Sequence, residues 1–491
     1  MEGKKALGVF WGLMMKSGNL LSNLLLSLES HSVSYVSWKN NHELGKALNA
    51  GRDIDILVPN NHKGKFNSIM RKEGWVEMDN QFIRYPWITH YYKLSEAGQI
   101  FHIHVYHKLV TGESLAKEYE LPWVGFLMEN RVKNNQGVWV LNEHAQVFIF
   151  TVRHLLKGGR FFSRLRYKRE LDSYNEEFWL SGGLNKVSWD DTPFTLKEFI
   201  VGSGLSGKKI SLPSLLTAMR FRIQMGHFKR QAWGAEKITA ANIFFLRVLN
   251  RFFIKSKKIF LTGGLVIAVT GNDGSGKTTM LNSIKKDFGS FATVKSIHMG
   301  RPLPSWVERI IGILTSRKNK QNTKTHVKVS ASHDKKLKNS TALMAVLIAL
   351  FRLHRTKQAA GYARKGYLVL TDRWPTRAYG KMDGPRINPA LTNSYFLKTL
   401  GKIEHRAYTA MSEADFCFVF KVPLSVAISR NISREEVEDE GVLIARYKNN
   451  QDPQPICLSK IDFDNSGEYC QKLKEFRSLV WSKIGSSVVW D

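Results

Sequence analysis

The residues best placed to do chemistry are Gly271, Asn272, Asp273, Gly274, Ser275, Gly276, Lys277, Thr278 and Thr279, which run GxxxxGK[ST]. Glycines at this spacing let the backbone bend into a nest whose N–H groups point at phosphate oxygens. The helix expected over 277–286 adds its positive dipole end. A lysine here reaches the β- and γ-phosphates, and the following hydroxyl coordinates Mg²⁺. The segment is expected to bind ATP with Mg²⁺, with Lys277 catalytic and Thr278 a metal ligand.

Further candidates lie downstream. The apolar run 367–371 ends in Asp372-Arg373-Trp374, putting a carboxylate near the metal and a guanidinium where it could hold an acceptor phosphate bidentately. Arg352 ends an apolar helix expected over 342–351, with Arg355 one turn on. Arg430 and Arg434 follow a strand expected over 415–422 and the helix opened by Pro423. Each arginine also reads as an ordinary solvated residue of a basic protein. In the first half, Asp53 and Asp55 stand at i and i+2 of an expected strand, on one face, where two carboxylates can share Mg²⁺. His102 and His104 share a face in the run 100–106 and suit a metal, a sugar hydroxyl or plain solvent.

These groups need elements to position them. The β-branched run 265–270 suits a buried parallel strand feeding the glycine loop. Earlier, leucines at helical spacing over 18–28 precede strands at 33–38, 53–58 and 100–106, then helices at 143–157 and 165–180. This is an α+β unit closing near residue 200. Residues 212–258 are basic and aromatic-containing. Within 244–254, Leu246, Leu249 and Phe253 separate from Arg247 and Arg251, which fits a connecting helix or one lying on anionic membrane. Residues 319–340 are a low-complexity surface insertion.

A chain of 491 residues is too long for one ordinary core, and its formal charge of +31 favours polyanions: nucleotides, nucleic acid or anionic lipid. No recognised nucleic-acid module accompanies that charge. Three cysteines, an odd total without a CxxC pair, indicate neither a disulfide framework nor a zinc site and suit a reducing cytoplasm. Lys16 interrupts the apolar stretch 6–15, which reads as an amphipathic helix rather than a leader. No run reaches the roughly 18 apolar residues of a membrane span, so membrane contact is expected to be peripheral, at the inner membrane surface.

The segments GGLVIAVTGNDGSGKTT, LIALFRLHR, YLVLTDRW and RNISR resemble the thymidylate kinase family over residues 261–491. HMGRP and MDGPR resemble its divergent, surface-polysaccharide-associated type. The resemblance implies that Asp273 sits near the acceptor sugar and metal, and that Asp372 and Arg373 handle acceptor phosphate and Mg²⁺. It further implies that Arg352 and Trp374 line the acceptor pocket and that Arg430 and Arg434 belong to a lid over ATP. The chain departs from the family at Phe351, where an acid is usual, and across 298–302. The stretch from Trp38-Lys39-Asn40 to Asp53-Ile54-Asp55 resembles the nucleotidyltransferase fold, whose Asp-x-Asp binds the metals that orient a nucleoside triphosphate.

The expected fold is therefore α/β, a P-loop parallel sheet flanked by helices, preceded by an α+β nucleotidyltransferase-like domain. The expected domains are 1–200, a basic helical linker 201–260, and 261–491. The expected function is ATP- and Mg²⁺-dependent phosphoryl transfer to a nucleoside monophosphate or related sugar or phosphate acceptor. Alternatives are a bifunctional nucleotidyltransferase-kinase and a nucleotide-gated protein binding nucleic acid or anionic membrane.

Overall fold

The computed structural model describes residues 20–85, 87–95, 97–112, 116–157, 215–299, 339–432, 440–450 and 452–486. The expected helix at 165–180, the stretch 6–15, the insertion as far as residue 338, and Arg434 lie outside them. The chain divides into two compact units, Met1–Ser256 with Gly485–Asp491, and Lys257–Ile484.

The first unit begins with α1 (Leu20–Ser30), whose Leu21, Leu24, Leu25 and Leu28 recur at helical spacing and are buried. There follow β1 (Val36–Ser37), α2 (Leu44–Leu48), β2 (Ile54–Leu57), α3 (Lys63–Lys72), β3 (Val76–Asn80), β4 (Ile88–Leu94) and β5 (Ile100–Tyr106). A short hairpin of β6 (Leu109–Thr111) and β7 (Tyr119–Leu121) leads to α4 (Val124–Glu129), β8 (Arg131–Lys133), β9 (Trp139–Leu141) and α5 (Glu143–Lys157). After the undescribed stretch come α6 (Leu215–Gln224) and α7 (Trp233–Leu249), which passes into a π-helical turn, Asn250–Ile254.

Seven strands of this unit lie in the order β3-β4-β5-β2-β1-β9-β8. Strand β2 runs parallel to β5 and antiparallel to β1, while β4 is antiparallel to β5. Along β5, Phe101, Ile103 and Val105 are buried, so the period of two turns His102 and His104 to the other face. Register sets Asp55 opposite His104, and His90 of β4 opposite His104. Around α7, Leu246 and Leu249 are half-buried while Arg247 and Arg251 are exposed, as their spacing predicts, but Phe253 is exposed, as are Phe244, Phe245 and Phe252.

The second unit comprises β10 (Lys258–Phe260), β11 (Leu265–Gly271), α8 (Lys277–Phe288), β12 (Val294–His298), α9 (Asn339–Arg364), β13 (Leu368–Asp372), α10 (Tyr395–Thr409), β14 (Ala414–Lys421), α11 (Leu424–Ile432), α12 (Glu440–Asn449), β15 (Cys457–Asp464) and α13 (Tyr469–Ser486). Its sheet, ordered β12-β13-β11-β14-β15, is parallel throughout. Every residue of β11 is buried, as a strand covered on both faces requires. With β13 and β14 on either side, β11 opens at its carboxyl end onto the crevice where such sheets bind ligands. Register brings Val269 beside Asp372 and Gly271 beside Phe420, gathering three strand ends around one loop. Among the described residues no helix is long and apolar enough to cross a membrane.

Candidate functional site

Three glycines of the loop, Gly271, Gly274 and Gly276, take positive φ where a Cβ would come within 3.0 Å of a neighbouring atom. Gly271 has φ 146° and a Cβ there would lie 2.4 Å from the Phe420 carbonyl oxygen; Gly276 has φ 82° and its Cβ would meet Asn465 Nδ2 at 2.6 Å. Left-handed backbone and close approach together exclude a side chain. Gly276 is also the N-cap of α8 and contributes no side-chain cap, leaving the first-turn N–H groups to an anion. Lys277 is buried and its Nζ donates to the carbonyls of Gly271 (3.1 Å) and Asn272 (2.8 Å), so it bridges the loop that would receive the phosphates.

At the mouth of the loop Thr278 and Thr279 are exposed, and Thr278 Oγ1 donates to Asp372 Oδ2 at 3.1 Å. Asp372 Oδ1 is buried without a hydrogen-bond partner among the described residues. A hydroxyl and an orphaned carboxylate oxygen side by side suit a hard divalent cation. Thr278 and Asp372 are thus the residues that would hold Mg²⁺, which when bound neutralises phosphate charge as a Lewis acid.

Asp273, inside the loop, lies between two guanidinium groups. Its Oδ1 accepts from Arg373 Nη2 at 3.4 Å and its Oδ2 from Arg446 Nη1 at 3.1 Å. Burial pushes this carboxyl up, but the charges of Lys277, Arg373 and Arg446 together outweigh it and hold Asp273 below the usual carboxylate range. Arg373 has φ 66°, a conformation costing on the order of 1 kcal/mol or more for a side-chain-bearing residue. Its N–H is tied to the Val269 carbonyl at 2.8 Å. The strained turn at the end of β13 aims the guanidinium back at the loop.

Three residues not singled out from the sequence complete the loop's support. Asn450, at the end of α12, donates to Asn272 Oδ1 (3.1 Å), and Arg446 lies one turn before it on the same helix. Asn465, after β15, donates to the Ser275 carbonyl (2.7 Å) and accepts at its own carbonyl from Arg430 Nη2 (3.0 Å). The i, i+4 pair Arg446 and Asn450 was the available sequence signal; nothing local marks Asn465.

Two acceptor-side expectations come out differently. Trp374 is buried in the core with Val266, Ala268 and Cys417, and its Nε1 donates to the Ile456 carbonyl at 2.7 Å, so its ring is packing and not a pocket wall. Arg352 donates to Asp383 Oδ1 (2.6 Å) and Tyr408 Oη (2.8 Å), with both partners of the ion pair 12% exposed. The MDGPR loop is thereby anchored by Arg352, and that guanidinium is already engaged.

In the first unit, Asp55 is 2% exposed and Asp53 40%. Asp55 accepts from Lys39 Nζ (2.9 Å) and Asn40 Nδ2 (2.9 Å). Both carboxylates approach His104 Nδ1, Asp53 at 3.3 Å and Asp55 at 3.2 Å. Burial works against the charge on Asp55, but Lys39 and His104 hold its carboxyl well below the ordinary range. Lys39, Lys117, Arg153 and Lys157 collect near this carboxylate. Burial, reinforced by the neighbouring cations, pushes Lys117 down to about 7 and Lys157 well below its usual value.

Comparison with known proteins bears on the second unit. The model of the KAP family P-loop domain matches residues 254–395, less than half of the chain. The uncharacterized ATP-binding protein YghS of Escherichia coli (strain K12) is 26% identical over 155 residues, 30% of this chain and 64% of that protein. The match therefore spans less than two thirds of the relative's length. Among solved structures, deoxyadenosine kinase from M. mycoides with bound dATP aligns at 14% identity over 44% of this chain and 99% of its own, with TM-score 0.28. Thymidylate kinase from Candida albicans aligns at 12% identity over 46% and 92%, with TM-score 0.25. Scores this low carry no weight for substrate. Loop, parallel sheet and the family match over 254–395 together give Lys257–Ile484 the fold and phosphate-binding loop of a P-loop domain.

Proposed function

We propose that the P-loop domain is an ATP- and Mg²⁺-dependent kinase of thymidylate kinase-like type, transferring a phosphoryl group to a nucleoside monophosphate or a related sugar or phosphate acceptor. The observation that carries this reading is Asp273 held between Arg373 and Arg446 at 3.4 and 3.1 Å. Simple hydrolysis has no evident need for an ionised carboxylate in the loop flanked by two guanidinium groups from other elements. Transfer has a use for it: the carboxylate can orient an acceptor hydroxyl, while Arg373 and Arg446 turn towards phosphate oxygens as charge spreads during transfer. Lys277 accompanies the transferring group, and Arg430, tethered to Asn465, approaches from the lid side. Labelled ATP offered with a panel of nucleoside monophosphates and sugar phosphates should label one acceptor class. Lys277→Ala should lower turnover by roughly 10²-fold or more, the scale of a lost transition-state contact. Undiminished transfer by Lys277→Ala would refute the mechanism.

A second reading is favoured by the cations beside Asp55. Lys39 and Arg153, joined by Lys117 and Lys157, whose charged forms a bound polyanion would favour, form a setting suited to a triphosphate, which supports nucleotidyl transfer by the first unit. Nucleotidyl transfer lost in Asp53→Asn but kept in Lys277→Ala would support it; the absence of such activity with every common triphosphate would sink it.

A further inference from the structure

The donor set on the face of the first unit's sheet opposite Phe101, Ile103 and Val105 differs from what an Asp-x-Asp magnesium site would offer. Lys39, Asn40 and His104 already engage Asp55, and the ring nitrogen between the two carboxylates is a borderline donor that Mg²⁺ takes poorly. Beside it stand two more imidazoles. His90 of β4 and His102 and His104 of β5 can each offer one ring nitrogen within 4.8 Å of the other two.

The spacing follows from the sheet. His102 and His104 are two residues apart on one strand and so share a face, and His90 is paired directly with His104 across the ladder. His90 Nδ1 and His102 Nε2 are 3.2 Å apart. Two ligands about 2.0–2.1 Å from a tetrahedral ion lie roughly 3.3 Å from each other. The ring centroids of His90 and His102 both lie 4.3 Å from that of His104, nearly perpendicular to it, so the three rings crowd one point.

Supporting groups are also present. Tyr92, buried, stacks on His102 at 4.1 Å and 10°, which holds that ring's orientation. Asp53 and Asp55 against His104 Nδ1 resemble the carboxylate partners that orient a ligating histidine and raise its basicity.

We propose that His90, His102 and His104 form a binding site for a borderline transition-metal dication of the Zn²⁺ or Co²⁺ class, with Asp53 and Asp55 as its carboxylate support. The inference is independent of the kinase reading, because every group in it belongs to the first unit and its readout is metal binding.

The test uses the full chain, stripped with chelator and titrated with Co²⁺ alone, then Zn²⁺, in excess Mg²⁺ and without nucleotide. One equivalent of Co²⁺ should bind with visible ligand-field absorption of tetrahedral intensity, be displaced by Zn²⁺ and be indifferent to Mg²⁺. His90→Gln and His102→Gln should each weaken binding by more than about tenfold, and Asp53→Asn by roughly tenfold, as for a support group. Asp372→Asn should leave it unchanged. No bound metal in the wild type, wild-type affinity in His90→Gln, or a site abolished by Asp53→Asn yet intact in His90→Gln would each overturn the proposal. Should His90→Gln fail to fold, X-ray absorption of the Zn²⁺-loaded wild type decides: three imidazoles are expected, and one or none refutes it.

Discussion

Replacing Gly276 with alanine tests the P-loop assignment where the loop meets Asn465. The new Cβ would sit 2.6 Å from Asn465 Nδ2 at a φ of 82°. Left-handed backbone costs a residue with a side chain roughly 1–2 kcal/mol. Relieving the contact must also push Asn465 off the Ser275 carbonyl, where it donates at 2.7 Å, a bond worth about 1 kcal/mol net. Because the N–H groups that would cradle phosphate belong to this same backbone, the total of about 2–3 kcal/mol should appear in nucleotide binding, as a roughly 30- to 150-fold rise in Kd for ATP. Isothermal titration or a fluorescent ATP analogue measures this directly. Gly361→Ala is the control: it lies inside α9 with nothing within 4 Å of its Cβ, and should keep wild-type affinity while raising stability slightly. The double variant Gly276→Ala/Asn465→Ala should lose less than the sum of its parts, since it removes the clash but keeps the strain. Wild-type Kd in Gly276→Ala would mean that this loop does not hold the phosphates.

Two further outcomes follow from buried groups. His107 is 1% exposed, and burial, with Lys63 nearby, pushes its pKa from 6.5 down to about 4. The unfolded chain therefore binds a proton that the folded one refuses between those values. His107 should cost nothing above about pH 7 and progressively more as pH falls to 4, up to about 3 kcal/mol. The gap in stability between wild type and His107→Leu, from denaturant melts across that range, should shift by this amount in favour of the variant, and a constant gap would refute the depressed pKa. Arg352→Ala strands Asp383, whose carboxylate lies 2.6 Å from the lost guanidinium, and should cost about 3–5 kcal/mol of stability. If its melting temperature is unchanged while KM for the acceptor rises, Arg352 is an acceptor ligand and not the anchor of the MDGPR loop.

Much of the site was legible because its signals are local. A phosphate nest needs glycines at fixed spacing within one turn, so Gly271 to Thr279 announced itself. The all-buried strand β11 before it followed from its unbroken apolar run, and β5 and α5 fell at 100–106 and 143–157 as their periodicities require. Asp53, Asp55 and His104 were recognisable as potential ligands from residue type and the period of two alone.

The sequence by itself thus determined which short segments could bind phosphate or metal, because those properties are set within a few residues. What surrounds the segments was decided only by tertiary structure. Arg446, Asn450 and Asn465 reach the loop from positions more than 170 residues away in the chain, and no local pattern encodes which helix will lie over a strand end. Trp374 and Arg352 went to the core and to Asp383 for the same reason: residue type states what a side chain can do, and packing chooses its partner. His90 joins His102 and His104 because β4 pairs with β5 in one register, and a slip of one residue would have turned it to the opposite face.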